Sequence, residues 1–265
     1  MNARNESSPL ASTPTADMLG SKVHMVQIEE VMNIFRWWIE NEPTQNHMVV
    51  NTGMHGVLEG HDHAEFQAIL NSADLFTPDG VSVKWIGQLK GFPQKHRVNA
   101  VDLLEATFAV SEKEGYKHYF YGDTDETLAI MRDRLMERYP KLQIVDLHSP
   151  PFRELTPEED EEIVQRINNS GAHFLWVGLG LPKQERWMHA HRDRLTVPIA
   201  AGVGAGFKFL AGKVKRAPSF VGEHGFEWLW RLVQEPKLIW RRVFLMGPRF
   251  LWLAGKDVWQ SRRRP

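Results

Sequence analysis

Cysteine is missing from all 265 residues. That excludes a disulfide-stapled scaffold, a thiolate zinc site and a cysteine nucleophile. Nor does any apolar run approach the ~18 residues that a membrane-spanning helix needs. Excess charge is nearly absent: 32 Lys and Arg stand against 33 Asp and Glu, a net of −1. A dedicated nucleic-acid binder usually carries a strongly basic footprint, so no nucleic-acid partner is expected. The opening stretch MNARNESSPLASTPTAD has no apolar core of a secretory signal. These absences point to a reducing compartment, the cytoplasm. What is present is 42% hydrophobic residues, enough for a substantial buried core.

The even charge balance hides an asymmetry. Between Arg231 and Pro265 nine basic residues face only Glu235 and Asp257, a local net of +7. Trp240, Trp252 and Trp259 lie in the same stretch, with Trp228 and Trp230 just before it. Cations with interfacial indoles suit an anionic membrane surface, on which such a segment lies without crossing. The plainer alternative is a helix packing its aromatics on the body with its cations in water.

Residues 1–20 are polar and Pro/Ser/Thr-rich, and read as a disordered leader. QIEEVMNIFRWWIE (27–40) has helical apolar spacing. Short apolar runs then alternate with amphipathic stretches. The runs predict strands at His47–Asn51, Ala73–Thr77, His118–Tyr121, Leu142–Val145, Phe174–Gly178 and Pro198–Gly202. The stretches predict helices at Asp62–Asn71, Val101–Lys113, Asp125–Arg138, Thr156–Asn169 and Pro182–Arg194. Strict alternation means βαβ units: an α/β fold whose mainly parallel sheet has helices on both faces. The division expected is a leader (1–20), an α/β core (21–225) and a basic, Trp-rich helical appendage (226–265).

Ligands of such sheets bind beyond the carboxyl ends of the strands. There the sequence places Asn51-Thr52-Gly53, Thr77-Pro78-Asp79-Gly80, Gly122-Asp123-Thr124-Asp125, Gly178-Leu179-Gly180-Leu181-Pro182-Lys183-Gln184-Glu185 and Gly202-Val203-Gly204. Asp79 is either a turn residue or a carboxylate held at the sheet's mouth as a general base. Lys183 and Gln184 put a cation and an amide at a helix start, where diphosphate charge can be met. There is no Walker sequence, and neither Gly-rich turn completes a dinucleotide fingerprint. Three such turns on one rim nonetheless indicate a phosphorylated ligand. His55, His61, Asp62 and His63 are weighed as metal ligands, against Asp62 capping the next helix with Glu65 in a capping box.

The order of these motifs resembles the WecG/TagA/CpsF family of bacterial glycosyltransferases over residues 45–245. Ser72-Ala73-Asp74-Leu75 with Pro78-Asp79-Gly80, Arg97-Val98, Asp102-Leu103 and Arg138-Tyr139-Pro140 carry it. So do the PKQE block, Gly202-Val203-Gly204, AGKVKRAP (211–218), Glu227-Trp228-Leu229-Trp230-Arg231-Leu232 and Glu235-Pro236. The resemblance implies a Rossmann-like core and an inverting transferase without cofactor or metal. It implies a UDP-sugar donor carrying N-acetylmannosamine, its uronic acid or a hexose. The acceptor would be a polyprenyl-diphosphate-linked saccharide at the inner face of the cytoplasmic membrane, in cell-surface polysaccharide synthesis. Asp79 falls on the family's base, with Gln184 and Thr52 beside the reaction. Asn51, Gly80, Asn99, Gly122, Lys183, Gly202, Gly204 and Lys208 fall on the donor side. Arg231, Lys237, Arg241 and Arg242 fall on the acceptor and diphosphate side. A symmetric homo-oligomeric assembly is also implied.

This sequence departs from the family pattern in four places. Asn51-Thr52 stands where Thr-x-Asn is usual, and Lys208 replaces an acid beside the nucleotide base. Gly122-Asp123-Thr124-Asp125 replaces a Gly-Gly-x-Pro-Gly turn, and Leu238 replaces an Arg. Two rival readings follow: a metal-dependent phosphohydrolase built on His55–His63, and a non-catalytic nucleotide-sugar or lipid-binding protein.

Overall fold

The computed structural model describes residues 8–217 and 227–262. Its centre is a six-stranded parallel sheet of β3 (His47–Thr52), β4 (Leu75–Pro78), β5 (Lys117–Gly122), β6 (Gln143–His148), β7 (Phe174–Gly178) and β8 (Ile199–Gly202). The strand order is β4-β3-β8-β7-β5-β6. Each predicted strand is present, shifted by at most two residues at its start and three at its end. The central strands are buried on both sides, as their unbroken apolar runs require.

Successive side chains feed two separate cores. Met48, Val50, Tyr119, Tyr121, Leu175 and Val177 pack on one side with α2 (Met54–Asp62), α3 (Ala64–Asn71), α4 (Val81–Leu89), α7 (Pro157–Asn169) and α8 (Lys183–His191). Val49, Phe120, Phe174 and Trp176 pack on the other with α1 (Ile28–Asn41), α5 (Ala100–Glu114), α6 (Asp125–Arg138) and α9 (Gly206–Leu210). The chain leaving β3 enters α2 on one face, while that leaving neighbouring β8 enters α9 on the other. This divergence opens a crevice at the carboxyl rim.

Three expectations are corrected. The leader reading fails within residues 8–20, where Pro9–Ser12 form a 3₁₀ turn and Thr15–Met18 form β1, paired antiparallel with β2 (Ser21–His24). Ala16 and Met18 alternate inward between polar neighbours, a four-residue pattern lost in the polar average. Gly20 (φ 89°) closes the turn, and Asn71 ties it down, accepting from Lys22 N (2.8 Å) and donating to Gly20 O (2.8 Å). Residues 1–7 lie outside the described residues.

Asp62 is not a helix cap: it ends α2, and His63 opens α3. The helix expected at Pro182–Arg194, α8, stops at His191. The sequence reading also passed over α2, α4 and α9. Elsewhere the capping chemistry is as the residues suggest, with Thr124 capping α6 and Thr156 with Glu159 forming a capping box on α7.

The C-terminal described segment is helical: α10 (Glu227–Gln234), α11 (Pro236–Arg241), a π turn (Arg242–Met246) and α12 (Gly247–Ser261). Phe250, Ala254 and Val258 recur at four-residue spacing and bury against the first core. Arg249 grips both oxygens of Asp62, and Lys90 bonds Asp257 at 2.6 Å. The segment therefore lies over the carboxyl rim.

Candidate active site

Under α10–α12 the rim bounds a half-open cavity of about 1750 Å³. A pocket for one small molecule is usually about 300–1,000 Å³, so this one has room for two substrates. Its walls come from the turns after β3, β4, β5, β7 and β8, from the β6–α7 loop and from the appendage.

Asp79 stands on the β4–α4 turn and lines this cavity. Its N–H bonds Thr77 O at 3.0 Å, and Gly80 takes the positive φ of 89° that turns the chain into α4. Gly53 makes the approach of the neighbouring turn feasible. A Cβ there would sit 2.5 Å from Asp79 O, inside any real contact distance. Asn51 braces the same corner from β3. Its Nδ2 donates to Thr77 Oγ1 and to Val98 O, each at 2.7 Å, and a carbonyl accepts only, so the amide orientation is fixed. Asn51 Oδ1 is left buried without a partner among the described residues. Thr52 is buried against Gly56 and also lines the cavity.

Gln184 forms the opposing wall in the first turn of α8, which Pro182 leads in. Its Oε1 accepts from Gly204 N at 2.9 Å, and its Nε2 donates to Glu185 Oε1 at 2.8 Å. Gly202 leaves room for this arrangement, since a Cβ would fall 2.8 Å from Gln184 Nε2. Gly122 serves the backbone likewise: a Cβ there would meet the Gly178 carbonyl carbon at 2.6 Å. Lys183, Gly204 and Lys208 line the cavity directly. So does Asn99, although its side chain is committed to capping α5, accepting from Asp102 N at 3.0 Å.

The appendage adds positive charge. Arg231 and Arg242 both line the cavity. Arg231 is held by Glu235 (2.8 Å) and lies over the Phe209 ring at 5.5 Å. The Arg242 side chain makes no hydrogen bond or ion pair among the described residues. Burial and the neighbouring Arg231 pull it below the ordinary guanidinium value, yet a guanidinium stays charged at physiological pH. Burial and Arg242 together push His55 down to about 4, so that imidazole is neutral near pH 7.

The structure thus gathers Asn51, Thr52, Asp79, Gly80, Asn99, Lys183, Gln184, Gly204, Lys208, Arg231 and Arg242 around one space. Gly122 and Gly202 stand behind the lining, and neither Lys237 nor Arg241 reaches it. Arg241 is exposed over Trp240, at 5.9 Å from the ring.

The sequence reading quoted Glu185 within its motif but gave it no role. It is 0 % exposed, and burial pushes its carboxyl up to about 7. Met188 three positions on, an obvious core residue, places Glu185 on the inner face of α8. Also missed was an aromatic wall, in which Tyr121 meets Trp187 (4.7 Å between centroids) and Trp187 stacks on His191 (4.3 Å).

The histidine cluster is not a metal centre. Asp62 gives both oxygens to Arg249, His61 and His63 are exposed at the far end of α2, and His55 lies in the cavity at its start. Among the described residues no three His, Asp or Glu side chains are grouped as ligands. The phosphohydrolase reading built on this cluster is withdrawn.

Sequence comparison agrees with this geometry. The pattern of the Glycosyl transferase WecG/TagA/CpsF family matches residues 16–264. The chain belongs to this family. Among its relatives is the N-acetylglucosaminyldiphosphoundecaprenol N-acetyl-beta-D-mannosaminyltransferase of Bacillus spizizenii. It is 29% identical over 193 residues, which cover 73% of this chain and 72% of that one. A Staphylococcus aureus protein of the same name is 25% identical over 233 residues, 88% of each chain. As a WecG/TagA/CpsF glycosyltransferase, the protein carries its appendage within the matched span, as part of the family unit.

Proposed function

We propose that this glycosyltransferase moves N-acetylmannosamine from a UDP donor onto an N-acetylglucosaminyl diphosphate carried on a polyprenol, with inversion at the anomeric carbon. The relatives' names supply the sugar and the acceptor. The observation that carries the reading is one cavity with a carboxylate, Asp79, on one wall and the Gln184 amide, Arg231 and Arg242 on others.

The acceptor hydroxyl oxygen attacks the anomeric carbon as the bond from that carbon to the diphosphate oxygen breaks. Asp79 takes the hydroxyl proton, so the attacking oxygen never carries a full positive charge. The charge gained by the departing UDP is met by Lys183, Lys208 and the two arginines, which line the same cavity. Lys208 lines the cavity, places positive charge on the donor side and suits phosphate.

The appendage also supports peripheral attachment to the cytoplasmic membrane face. Trp240, Phe244, Leu245, Leu251, Trp252 and Trp259 are exposed on a basic segment. No helix among the described residues is long and apolar enough to cross a membrane.

The test is a panel of radiolabelled nucleotide sugars with a polyprenyl-diphosphate-linked N-acetylglucosamine acceptor in detergent. Label entering the lipid fraction from UDP-N-acetylmannosamine is expected. Label from a different donor alone would overturn the sugar assignment, and none from any donor would favour a binding protein.

A further inference from the structure

Glu185 is a buried carboxyl that the transfer steps above do not use. Its Oε1 accepts from Gln184, while Oε2 is buried with no partner among the described residues. Enclosing a carboxyl with half its bonding capacity idle is costly, and an apolar side chain would avoid that cost. Its neighbour explains the placement. A primary amide is nearly symmetrical in shape, so turning it over exchanges donor for acceptor at little steric expense.

In Gln184 both ends are committed. Gly204 N–H donates and cannot accept, so it requires Oε1 (2.9 Å). Nε2 then needs an acceptor behind it, and Glu185 Oε1 stands there at 2.8 Å, accepting whether the carboxyl is charged or neutral. Gly202 completes the cradle, because any Cβ there would crowd Nε2.

We propose that Glu185 is a positioning residue that locks the Gln184 amide, keeping the Gly204 N–H capped and one Nε2 hydrogen available to the sugar diphosphate in the cavity. This rests on the transferase reading and on Gln184 meeting the donor.

The experiment compares wild type with Glu185→Leu, Glu185→Gln, Gln184→Ala and the Gln184→Ala/Glu185→Leu pair, each checked for a cooperative thermal transition. Glu185→Leu is expected to lower kcat at least tenfold with donor KM within about threefold. Glu185→Gln keeps an oxygen for the Gln184 N–H and is expected to restore kcat to within about threefold of wild type. The double variant is expected to be no slower than Gln184→Ala alone, because the lock has nothing left to hold. Multiplying losses in the double variant, or wild-type kcat in Glu185→Leu while Gln184→Ala is impaired, overturns the positioning role and leaves the transferase reading intact. Wild-type transfer by Gln184→Ala removes Gln184 from the site and the proposal with it.

Backbone hydrogen exchange gives a readout independent of activity. Gly204 protection is expected to fall at least tenfold in Glu185→Leu, while Val203, bonded to Val177 O at 2.9 Å, keeps its own. Equal loosening at both amides would mark a merely structural role and overturn the proposal. Should Glu185→Leu not fold, Glu185→Met is judged by the same two readouts.

Discussion

At the residue scale the site is built from close approaches that only small or committed side chains permit. Gly53 makes the tightest approach to backbone among the described residues. Its φ of −105° is outside the left-handed region, but ψ of −145° lies off the main wells of other residues, and the Asp79 carbonyl limits the space as well. Gly53→Ala should displace the β4–α4 turn and lower kcat at least tenfold while the melting temperature drops by only a few degrees. Steady-state kinetics beside calorimetry checks this.

Glu185 gives a pH signature. Its folded-state pKa of about 7 lies above the ordinary 4.5, so the folded protein holds a proton that the unfolded chain releases. Wild-type stability therefore falls as pH rises from about 4.5 through 7. At one pKa unit per 1.36 kcal/mol, the loss is on the order of 3 kcal/mol. Glu185→Gln lacks this term, so urea unfolding should show its stability rising relative to wild type between pH 5 and pH 8. A constant difference across that range would contradict the assigned burial effect.

At the element scale, much was legible and the failures have physical reasons. Five of the six strands are almost wholly buried and announce themselves as apolar runs between turns, while the edge strand β6 is half exposed. The hairpin of β1 and β2 does not, because four residues with two inward side chains hardly raise the local hydropathy. Asp62 looked like a cap because its spacing to Glu65 is right, but its carboxylate is taken by Arg249, far away in sequence. Asp79 and Gln184 were readable from turn chemistry. The choice between Arg241 and Arg242 was not, since adjacent residues point about 100° apart on a helix and the π turn starting at Arg242 resets the phase. The docking of α12 rests on Phe250, which is fully buried. Phe250→Ala should cost about 3–5 kcal/mol wherever α12 unfolds with the body. If α12 instead detaches locally, exchange will accelerate in 247–261 alone. Hydrogen exchange by mass spectrometry distinguishes the two, and neither effect would contradict the docking described.

At the scale of the whole molecule, the near-zero net charge conceals a division of labour. An α/β body forms most of the rim, and a basic aromatic cover closes it. The membrane attachment proposed for that cover should depend on both aromatics and cations. Trp240→Ala/Trp252→Ala is expected to weaken binding to anionic vesicles at least tenfold in co-sedimentation, and raised salt should weaken the wild type as well. Binding unchanged by either would remove the membrane role from this surface.

The most direct test of the central claim, inverting transfer with Asp79 as base, is a single-turnover comparison of wild type and Asp79→Asn at matched donor occupancy. Asparagine keeps the size and polarity of the side chain but cannot take the acceptor's proton at neutral pH. General-base contributions of about 10²–10⁴ set the expectation. Asp79→Asn should transfer at least a hundredfold more slowly, with donor affinity within about twofold of wild type. Transfer by Asp79→Asn near the wild-type rate would contradict the account.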